Sequence, residues 1–585
     1  MAEPLVVVDD LSVQIETSRG VIDPVRNVSF SIAPGQTVGL VGESGSGKSV
    51  TAMTLTRLLP RRNVHVTGGS ITFDGRDLTH LDEKAMRSIR GKDIATIFQE
   101  PMTALNPVFT VFNQMREPLR LHLRMNKRQA LERCQDLLRM VGIREPDRVL
   151  QSYPHELSGG MRQRVMIAMA MACEPKLLIA DEPTTALDVT TQLQILDLMV
   201  DLQRDHGTAI LLITHDLGVV AQTCDDVVVM FNGEVQESAD VVSIFSNPQA
   251  DYTKRLLSFL PEGRKTIAEL DVDALADTTT AADTPTGEAA VAAPEAAGDA
   301  LVRVDDLTKT FHAKGARGKH GPVHAVRGVS FQVAKGTTIA IVGESGSGKS
   351  TTGRAILRLH EPTSGNVWFD GSDLLQLDEA AMRRMRAKMQ IVFQDTYASL
   401  DPRWMIGRTL AEPLKLHTAL SSSEIEAKIA TTLELVGLDP DSVSRFPHEF
   451  SGGQRQRIGI ARALLLDPEL VVCDEPVSAL DVSVQAQVLD LMKDLQQQLG
   501  LTYIFISHDL SVVEMMADYV VVMSHGRIVE QGTTEEIFTR PEHPYTRALL
   551  AAVPVTDPSV RNTREQRREI VERGIRAADE ELTAL

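Results

Sequence analysis

One octapeptide occurs twice in this chain, from Gly42 to Ser49 and again from Gly343 to Ser350. Both copies read Gly-Glu-Ser-Gly-Ser-Gly-Lys-Ser and fit the phosphate-binding pattern G-x-x-x-x-G-K-[ST]. In this pattern backbone N–H groups surround the phosphates, the lysine adds positive charge and the serine hydroxyl is a ligand for Mg²⁺. The sequence therefore predicts two sites for a nucleoside triphosphate. The residues predicted to bind it are Gly42, Ser44, Gly45, Gly47, Lys48, Ser49, Gly343, Ser345, Gly346, Gly348, Lys349 and Ser350.

Two pairs of neighbouring carboxylates offer the hydrolytic chemistry that such sites require. Each pair follows a short apolar run that reads as a buried strand. Taken alone, such a pair is as often a helix cap or a solvated turn. Beside a phosphate loop, the first acid is placed to hold Mg²⁺ through water, and the second to polarise the attacking water. The pairs are Asp181-Glu182 and Asp474-Glu475.

Two histidines, His215 and His508, also follow apolar strands, at the same distance along the chain from the acids. A lone histidine in such a place is usually a structural residue. The repetition favours a contact with the γ-phosphate, so we predict that both histidines belong to the catalytic sites.

A second anion-binding device begins at Ser158 and again at Ser451. Each serine is followed by Gly-Gly and opens a predicted helix, which leaves a hydroxyl and free backbone N–H groups at the helix start. Because each phosphate loop already serves its own nucleotide, this device makes sense if it closes on the nucleotide of the other half. Gly160 and Gly453 are the predicted partners of the two serines.

The elements that must position these residues are short strands and helices in alternation. Thr37–Val41 reads as a strand before the first loop, and Val50–Leu59 as a helix after it. Further continuous apolar runs are typical of strands buried on both faces. The predicted fold class is α/β with a largely parallel sheet, and its ligands belong at the carboxyl ends of the strands. The further runs are 177–180, 209–214, 470–473 and 503–507.

The whole unit is written twice, because landmarks from the phosphate loop to Tyr252 and Tyr545 recur in the same order, offset by about 293 to 301 residues. The predicted organisation is a first domain at 1–263, a flexible acidic linker at 264–300, a second domain at 301–557 and a charged, helix-forming tail at 558–585. The linker is rich in Ala, Thr and Pro and lacks the apolar residues that a core needs.

Composition narrows the functional classes. The chain has 585 residues and a net charge of −19, which argues against a nucleic-acid-binding surface as the main function. Its four cysteines lack metal-ligand spacing and read as small buried residues in a reducing compartment. No signal peptide and no apolar run of membrane-spanning length is visible. We expect a soluble, cytoplasmic chain whose membrane steps require other subunits.

These motifs together resemble the ATP-binding cassette (ABC) family over nearly all of both halves. The resemblance adds Gln99 and Gln394 as glutamines that reach the nucleotide and its metal. It also adds the turns Ala186-Leu187-Asp188 and Ala479-Leu480-Asp481. It implies ATP and Mg²⁺ as cofactors, with the metal held by Ser49, Gln99 and Asp181 in one half and by Ser350, Gln394 and Asp474 in the other.

In the family two halves form a head-to-tail pair with ATP at each interface. The resemblance therefore implies two composite sites within one chain, closed by ATP and reopened by hydrolysis, which moves attached membrane subunits. One site would combine Lys48, Ser49, Gln99, Asp181, Glu182 and His215 with Ser451 and Gly453. The other would combine Lys349, Ser350, Gln394, Asp474, Glu475 and His508 with Ser158 and Gly160.

A narrower resemblance is to the ATPases of dipeptide, oligopeptide and nickel importers. It rests on the segments from Gln99 to Pro107, Leu157 to Arg164, Gln394 to Pro402 and His543 to Leu550. It implies two integral membrane permease subunits, an extracytoplasmic substrate-binding protein and a place at the cytoplasmic face of the membrane. Many such relatives end with a cysteine cluster for an iron–sulfur centre. Because no cysteine follows Cys473, we predict none here.

Two other classes share the tandem organisation. A soluble ATPase acting on ribosomes is the main alternative, but the linker in that branch is typically helical and basic, whereas this one is acidic. A DNA-repair ATPase would need zinc-ligand cysteines or long coiled coils, and neither is visible. An importer subunit for peptides or similar solutes is the favoured interpretation, and the sequence does not name the solute.

The two sites are expected to be unequal. Alignment of the halves sets Ile15 opposite Phe311, where the family usually has an aromatic residue that stacks on adenine. Met161 stands where the family has glutamine, as at Gln454. The irregular segments after Gln99 and Gln394 are predicted to contact membrane subunits. Thr103 and Ala398 lie in these segments.

Overall fold

The computed structural model describes residues 3–17, 20–60, 62–99, 104–143, 145–184, 187–259, 300–312, 322–478 and 480–583. They form two compact units. The first holds most described residues up to Phe259 together with Pro554–Asn562, and the second holds the remainder, including Asp188–Thr190. The predicted linker at 264–300 lies almost entirely outside the described residues, as do Thr103, Ala186 and Ala479.

The first unit contains a four-stranded antiparallel sheet of order β2-β1-β4-β5 and a six-stranded sheet of order β10-β9-β3-β8-β7-β6. In the larger sheet only the β10–β9 pairing is antiparallel. The strands are β1 (Val6–Thr17), β2 (Gly20–Ile32), β3 (Thr37–Val41), β4 (Val64–Phe73), β5 (Arg76–Asp77), β6 (Ile94–Ile97), β7 (Leu177–Asp181), β8 (Ala209–Ile213), β9 (Asp226–Phe231) and β10 (Glu234–Asp240).

Helices cover the larger sheet and connect its parallel strands. Strand β7 shows why both faces are covered, since Leu177 and Ile179 join one apolar core and Leu178 and Ala180 join the other. The helices are α1 (Lys48–Thr56), α2 (Glu83–Ile89), α3 (Val111–His122), α4 (Lys127–Met140), α5 (Pro146–Gln151), α6 (Gly159–Ala170), α7 (Val189–His206), α8 (Leu217–Thr223), α9 (Val241–Ser246) and α10 (Asp251–Ser258).

The second unit repeats the two sheets, with orders β12-β11-β14-β15 and β16-β17-β18-β13-β19-β20. Its strands are β11 (Ala300–Phe311), β12 (Val323–Ala334), β13 (Thr338–Val342), β14 (Ser364–Phe369), β15 (Ser372–Asp373), β16 (Met389–Val392), β17 (Leu470–Asp474), β18 (Thr502–Ile506), β19 (Tyr519–Ser524) and β20 (Arg527–Thr533).

The helices of the second unit follow the same order and end with a long additional one. They are α11 (Lys349–Ile356), α12 (Glu379–Lys388), α13 (Thr396–Ser399), α14 (Ile406–His417), α15 (Ser422–Leu435), α16 (Gly452–Leu464), α17 (Val482–Leu499), α18 (Leu510–Met516), α19 (Thr534–Thr539), α20 (Pro544–Ala551) and α21 (Arg564–Thr583). Helix α21 lies within the predicted helix-forming tail.

The strand–loop–helix order around the first phosphate loop is confirmed, and one helix boundary needs correction. Strand β3 has the predicted bounds, but the following helix begins at Lys48 and ends at Thr56 rather than spanning 50–59. Arg57 adopts a left-handed conformation with φ of 52°, and its N–H closes the helix end. The helix starts earlier because the phosphate loop itself forms its N-terminus.

The α/β class with a largely parallel sheet is confirmed, but the separate antiparallel sheet was not predicted. Strands β1 and β11 each contain a register shift around an aspartate with positive φ, Asp10 and Asp306. A half-buried strand is recognised in a sequence by the alternation of apolar and polar residues, and these register shifts interrupt that alternation.

All four cysteines are free and buried, as the composition predicted. Burial raises the pKa of Cys134 to about 12, so its thiol stays protonated. Among the described residues, no helix combines the length and the apolar character that crossing a membrane requires.

Candidate functional site

Both phosphate loops bring the predicted lysine onto backbone carbonyls. The Lys48 ammonium lies 2.7 Å from the Gly42 oxygen and 2.8 Å from that of Glu43, and Lys349 makes the matching contacts at 2.8 Å. Both lysines are buried, so their charge is held in place. The remaining predicted loop residues lie in the same two loops; they are Ser44, Gly45, Gly47, Ser345, Gly346 and Gly348.

The first glycine of each loop is required by its conformation and by its surroundings. Gly42 has φ of 149°, and a Cβ built there would lie 2.1 Å from the Met230 carbonyl oxygen. Gly343 has φ of 146°, with the Met523 oxygen at the same 2.1 Å. No other residue type fits here without displacing strand β9 or β19.

The predicted Mg²⁺ ligands meet at the carboxyl ends of β7 and β17. The Ser49 hydroxyl donates to Asp181 Oδ1 at 3.1 Å, and Ser350 donates to Asp474 Oδ1 at 2.7 Å. Burial is the largest influence on Asp181 and raises its pKa, reinforced by the charge of Glu182. A hydroxyl beside a buried carboxylate is an oxygen donor set that suits Mg²⁺, and a bound cation would offset the cost of burying the carboxylate charge.

The predicted general bases have an unusual backbone conformation. Glu182 and Glu475 have φ of 47° and 48°, although both are non-glycine residues. Their N–H groups still bond to the next strand, to the Ile213 and Ile506 oxygens at 2.8 and 2.9 Å. Left-handed conformations of this kind cost free energy and persist where the surrounding structure fixes them, often at functional sites.

In each half, the predicted glutamine and histidine both contact the glutamate of that half. In the first unit, the Gln99 amide donates to Glu182 Oε2 at 2.7 Å, and His215 Nδ1 lies 3.3 Å from Oε1. This brings together three residues that are far apart in the chain. The glutamate carboxylate is thereby held at two points beside the phosphate loop.

The second unit has the same arrangement. Gln394 donates to Glu475 at 2.6 Å, and His508 lies 3.2 Å from it. Although burial opposes a charge on the imidazole, the hydrogen bond and the negative charge of Glu475 raise the pKa of His508. The pKa of Glu475 is lowered in turn, because His508 and Lys349 outweigh its burial. In the first unit Glu182 raises the pKa of His215 in the same way.

Ser158 and Ser451 are the N-cap residues of α6 and α16, and their hydroxyl oxygens accept the N–H groups of Met161 and Gln454. The Gln454 side chain also accepts the Ser451 N–H at 3.0 Å, which completes a capping box. Met161 has no group that can return this bond. The sequence difference at this position therefore changes how firmly the Ser-Gly-Gly turn is held. Gly160 and Gly453 lie in the first turns of these helices.

Asp188 and Asp481 each hold the start of a long helix. Thr190 donates to Asp188 at 2.8 Å, and Ser483 donates to Asp481 at 2.9 Å. Asp481 is also the N-cap of α17, accepting the Val484 N–H. Each of these two hydroxyl contacts joins residues two positions apart in the chain.

The predicted adenine positions are structurally equivalent. Ile15 pairs with Ile22 near the end of β1, and Phe311 pairs with Val323 at the end of β11. The Phe311 ring is 37% exposed. The Lys309 ammonium lies 5.0 Å from its centroid. An exposed ring of this kind is suited to stacking, and Ile15 offers only aliphatic contact.

Arg354 is a site residue that sequence reasoning missed. Its guanidinium lies 3.3 Å from Asp474 Oδ2, on the acid that also accepts from Ser350. The corresponding residue of the first half is Met53. The two halves differ here within an otherwise similar helix, and this difference was the only signal in the sequence.

The chain has two phosphate loops. Beside each loop, at the ends of parallel strands, lie a serine, an aspartate and a glutamate whose carboxylate is contacted by a glutamine and a histidine. These features define a protein with two nucleotide-hydrolysing domains. The ABC transporter family matches residues 25–185 and 326–478, and the oligopeptide/dipeptide transporter C-terminal region matches residues 529–577. The chain belongs to the ABC transporter family. Its class of ATP-binding proteins hydrolyses ATP to power transport.

Similar proteins align along nearly the whole chain. The glutathione import ATP-binding protein GsiA of Pectobacterium atrosepticum is 48% identical over 96% of this chain and 91% of its own length. The peptidoglycan transport ATP-binding protein YejF of Agrobacterium fabrum is 48% identical over 94% and 96%. GsiA of Escherichia coli O157:H7 is 47% identical over 94% and 90%. The ribosomal alternative gains no support from these relatives.

Proposed function

We propose that this chain is the ATP-hydrolysing subunit of an importer for peptides or peptide-like solutes, a class that includes glutathione. The observation that carries the proposal is the presence in each unit of a complete set around the glutamate, with glutamine and histidine holding one carboxylate beside a phosphate loop. The match at residues 529–577 and the names of the relatives support the solute class.

In the proposed hydrolysis Glu182 and Glu475 accept a proton from the attacking water, each in its own domain. The histidine beside each glutamate orients the carboxylate and presents positive charge toward the γ-phosphate. Mg²⁺, held by Ser49 and Asp181 or by their counterparts Ser350 and Asp474, would neutralise charge on the phosphates. Gln99 and Gln394 complete the predicted metal and nucleotide contacts.

The resemblance also supports composite sites, in which Ser451 completes the site of Lys48 and Ser158 completes that of Lys349. A test isolates the first site with Lys349→Ala and then adds Ser451→Arg or Ser158→Arg. We expect Ser451→Arg to remove most of the remaining ATP hydrolysis, and Ser158→Arg to cost much less. The reverse order would assign each serine to the phosphate loop of its own half.

The segments after the two glutamines are the proposed contacts with membrane subunits. Val108 and Phe109, which follow the first segment, are 70% and 51% exposed, and such apolar exposure suits a partner. Crosslinking from Thr103 or Ala398 to a permease subunit tests the contact. Absence of a crosslink in every nucleotide state would contradict it.

Solute uptake tests the proposed function as a whole. Cells that produce the chain with its membrane subunits are compared with cells carrying Glu182→Gln and Glu475→Gln, for uptake of labelled glutathione and a labelled tripeptide. We expect the double variant to lose uptake of at least one of them. Glu132→Gln is the matched control, because Glu132 pairs with Arg128 on the surface. Uptake of both solutes that is independent of the two glutamates would refute the proposal.

A further inference from the structure

A tyrosine hydroxyl contacts the phosphate loop in each unit. The Glu344 N–H donates to the Tyr545 hydroxyl at 3.0 Å, and the Glu43 N–H donates to the Tyr252 hydroxyl at 3.2 Å. Both tyrosines lie on the second helix after the last strand of their unit, α20 or α10. They are separated from the loops by about two hundred residues of chain, so the contact is a product of the fold.

The hydroxyl and the loop lysine hold the same peptide group from opposite sides. In the second unit this group joins Gly343 to Glu344, with its carbonyl on Lys349 and its N–H on Tyr545. A peptide group is planar, so fixing both polar ends fixes its orientation. The glycine beside it would otherwise allow the group to rotate. The geometry of the first phosphate-loop peptide therefore depends on the tyrosine.

The two tyrosines differ in how firmly they are held. Tyr545 is 1% exposed, and burial raises its pKa, so the hydroxyl remains protonated. Tyr252 is half-buried and stacks on Phe231 with ring centroids 4.3 Å apart. Phe231 is the counterpart of Ser524, so the second unit has a serine where the first unit has the stacking ring.

The helix that carries Tyr545 is itself fixed by the C-terminal region. His543 Nδ1 accepts the Tyr545 N–H at 3.1 Å and caps α20, which leaves Nε2 to donate to Glu581 of α21 at 3.3 Å. Helix α21 crosses closely at Gly574, where a Cβ would lie 2.4 Å from the Pro544 oxygen. Each residue of the His-Pro-Tyr sequence therefore has a role: His543 caps α20, Pro544 begins it, and Tyr545 contacts the phosphate loop.

We propose that Tyr545 and Tyr252 are positioning residues for ATP binding, and that through Tyr545 the C-terminal region at 529–577 sets the affinity of the second phosphate loop. The hydroxyl keeps the first loop peptide in its phosphate-binding orientation before the nucleotide arrives. The C-terminal region thus acts on the nucleotide site without touching the nucleotide.

The test replaces each tyrosine by phenylalanine, which removes the hydroxyl and keeps the ring. Tyr545→Phe is made with Lys48→Ala, so that only the second site works. We expect the KM for ATP to rise about five- to tenfold with kcat within about twofold, because the partly buried Glu344 N–H loses its acceptor beside a buried ring. Tyr252→Phe with Lys349→Ala is expected to raise the KM only about two- to threefold, because water reaches the half-buried site.

Tyr503→Phe is the matched control. Its buried hydroxyl donates to the Met492 carbonyl at 3.1 Å in the same unit, away from the loop. This variant is expected to lower stability and to leave the KM for ATP unchanged. An unchanged KM in folded Tyr545→Phe, or an equal rise in Tyr503→Phe, would overturn the proposal. If Tyr545→Phe does not fold, Tyr252→Phe decides, and an unchanged KM there overturns it.

A second variant tests the link to the C-terminal region. Gly574→Ala, made with Lys48→Ala, adds a methyl group where α21 crosses Pro544, so it displaces α21 from α20 without altering the tyrosine. We expect the KM for ATP to rise in the same direction as in Tyr545→Phe, and the two effects to be less than additive because they act through one contact. Full additivity, or no change in KM, would restrict the role to the tyrosine hydroxyl and contradict the proposed link.

Discussion

Met53 in the first domain and Arg354 in the second occupy the same place on the helix that follows the phosphate loop. Asp181 and Asp474 both accept a serine hydroxyl, but Asp474 also lies beside the Arg354 guanidinium, whereas Met53 carries no charge. The hydrolytic residues around them match in type and contact. The comparison teaches that this duplicated chain has kept its chemistry in both copies and changed the surroundings that tune it.

The surroundings differ in three further places. Phe311 replaces Ile15 at the adenine position, the Ser451 turn has a reciprocal capping box that the Ser158 turn lacks, and Tyr545 is more deeply buried than Tyr252. In each of these three places, the residue of the second half is better suited than its counterpart in the first half to hold the nucleotide, the phosphate loop or the start of the helix. We infer that the two sites share a mechanism and differ in affinity.

The largest expected effect tests whether the shared chemistry is present in both domains. Glu182→Gln and Glu475→Gln together are expected to lower ATP hydrolysis by about 10²–10⁴-fold while ATP still binds, because the general bases are removed and the phosphate loops remain. Each single variant is expected to retain part of the activity. Hydrolysis that persists undiminished in the double variant would reject both assignments.

The next effect concerns the histidine of the second site, measured with Lys48→Ala. His508→Ala is expected to lower kcat on the order of a hundredfold, because positive charge beside the γ-phosphate is lost. The acid limb of the pH–rate profile should move to higher pH, since burial then governs the pKa of Glu475.

The pH dependence of stability tests the same contact between His508 and Glu475. The pKa of His508 is raised above 6.5 in the folded protein, so its contribution is complete below pH 6.5 and is lost as the pH rises through the folded value. The difference in melting temperature between wild type and His508→Ala should therefore be larger in mild acid than in alkali. A difference that grows with pH would show that His508 is not held by Glu475. His80→Ala, at an exposed pair with Asp77, is the control.

A smaller effect tests the charge that is present only in the second domain. Arg354→Met is expected to lower the free energy of unfolding of that domain by about 1 kcal/mol, or the melting temperature by about 2–4 °C, because Asp474 is buried and Arg354 is partly exposed. Both tryptophans, Trp368 and Trp404, lie in the second half, so tryptophan fluorescence reports its unfolding. Arg403→Met is the control, because Arg403 pairs with Asp401 at the surface. Equal changes in melting temperature in the two variants would show that Arg354 contributes no more than a surface ion pair.

The smallest effect sharpens the adenine comparison. Ile15→Phe with Lys349→Ala is expected to tighten ATP binding about threefold. This gain is smaller than a full stacking contribution, because Lys309 lies beside Phe311 in the second half, whereas its counterpart in the first half, Val13, is uncharged. Phe311→Ile with Lys48→Ala is the reciprocal variant and should weaken binding. Titration with a fluorescent ATP analogue measures both. Absence of any gain in Ile15→Phe would place the adenine elsewhere.

Local sequence patterns predicted the loops, the strands before them and the acids that follow, because each depends on a few neighbouring residues. Their repetition favoured a shared site for the glutamate and the histidine of each half, and the resemblance to the ABC family added the glutamine. Contacts that depend on distant segments were missed. Arg354 on Asp474 and Tyr545 on the phosphate loop appear only when the fold brings the elements together, and the register shifts in β1 and β11 concealed the antiparallel sheets.

The inequality of the two sites is tested most directly by the ATP dissociation constants of Lys48→Ala and Lys349→Ala, measured by calorimetry on the full chain. Lys48→Ala leaves the site with Phe311 and Tyr545, and Lys349→Ala leaves the site with Ile15 and Tyr252. A base–aromatic stack contributes about 1–3 kcal/mol, so we predict about tenfold tighter binding in Lys48→Ala. Equal dissociation constants, or tighter binding in Lys349→Ala, would contradict the account.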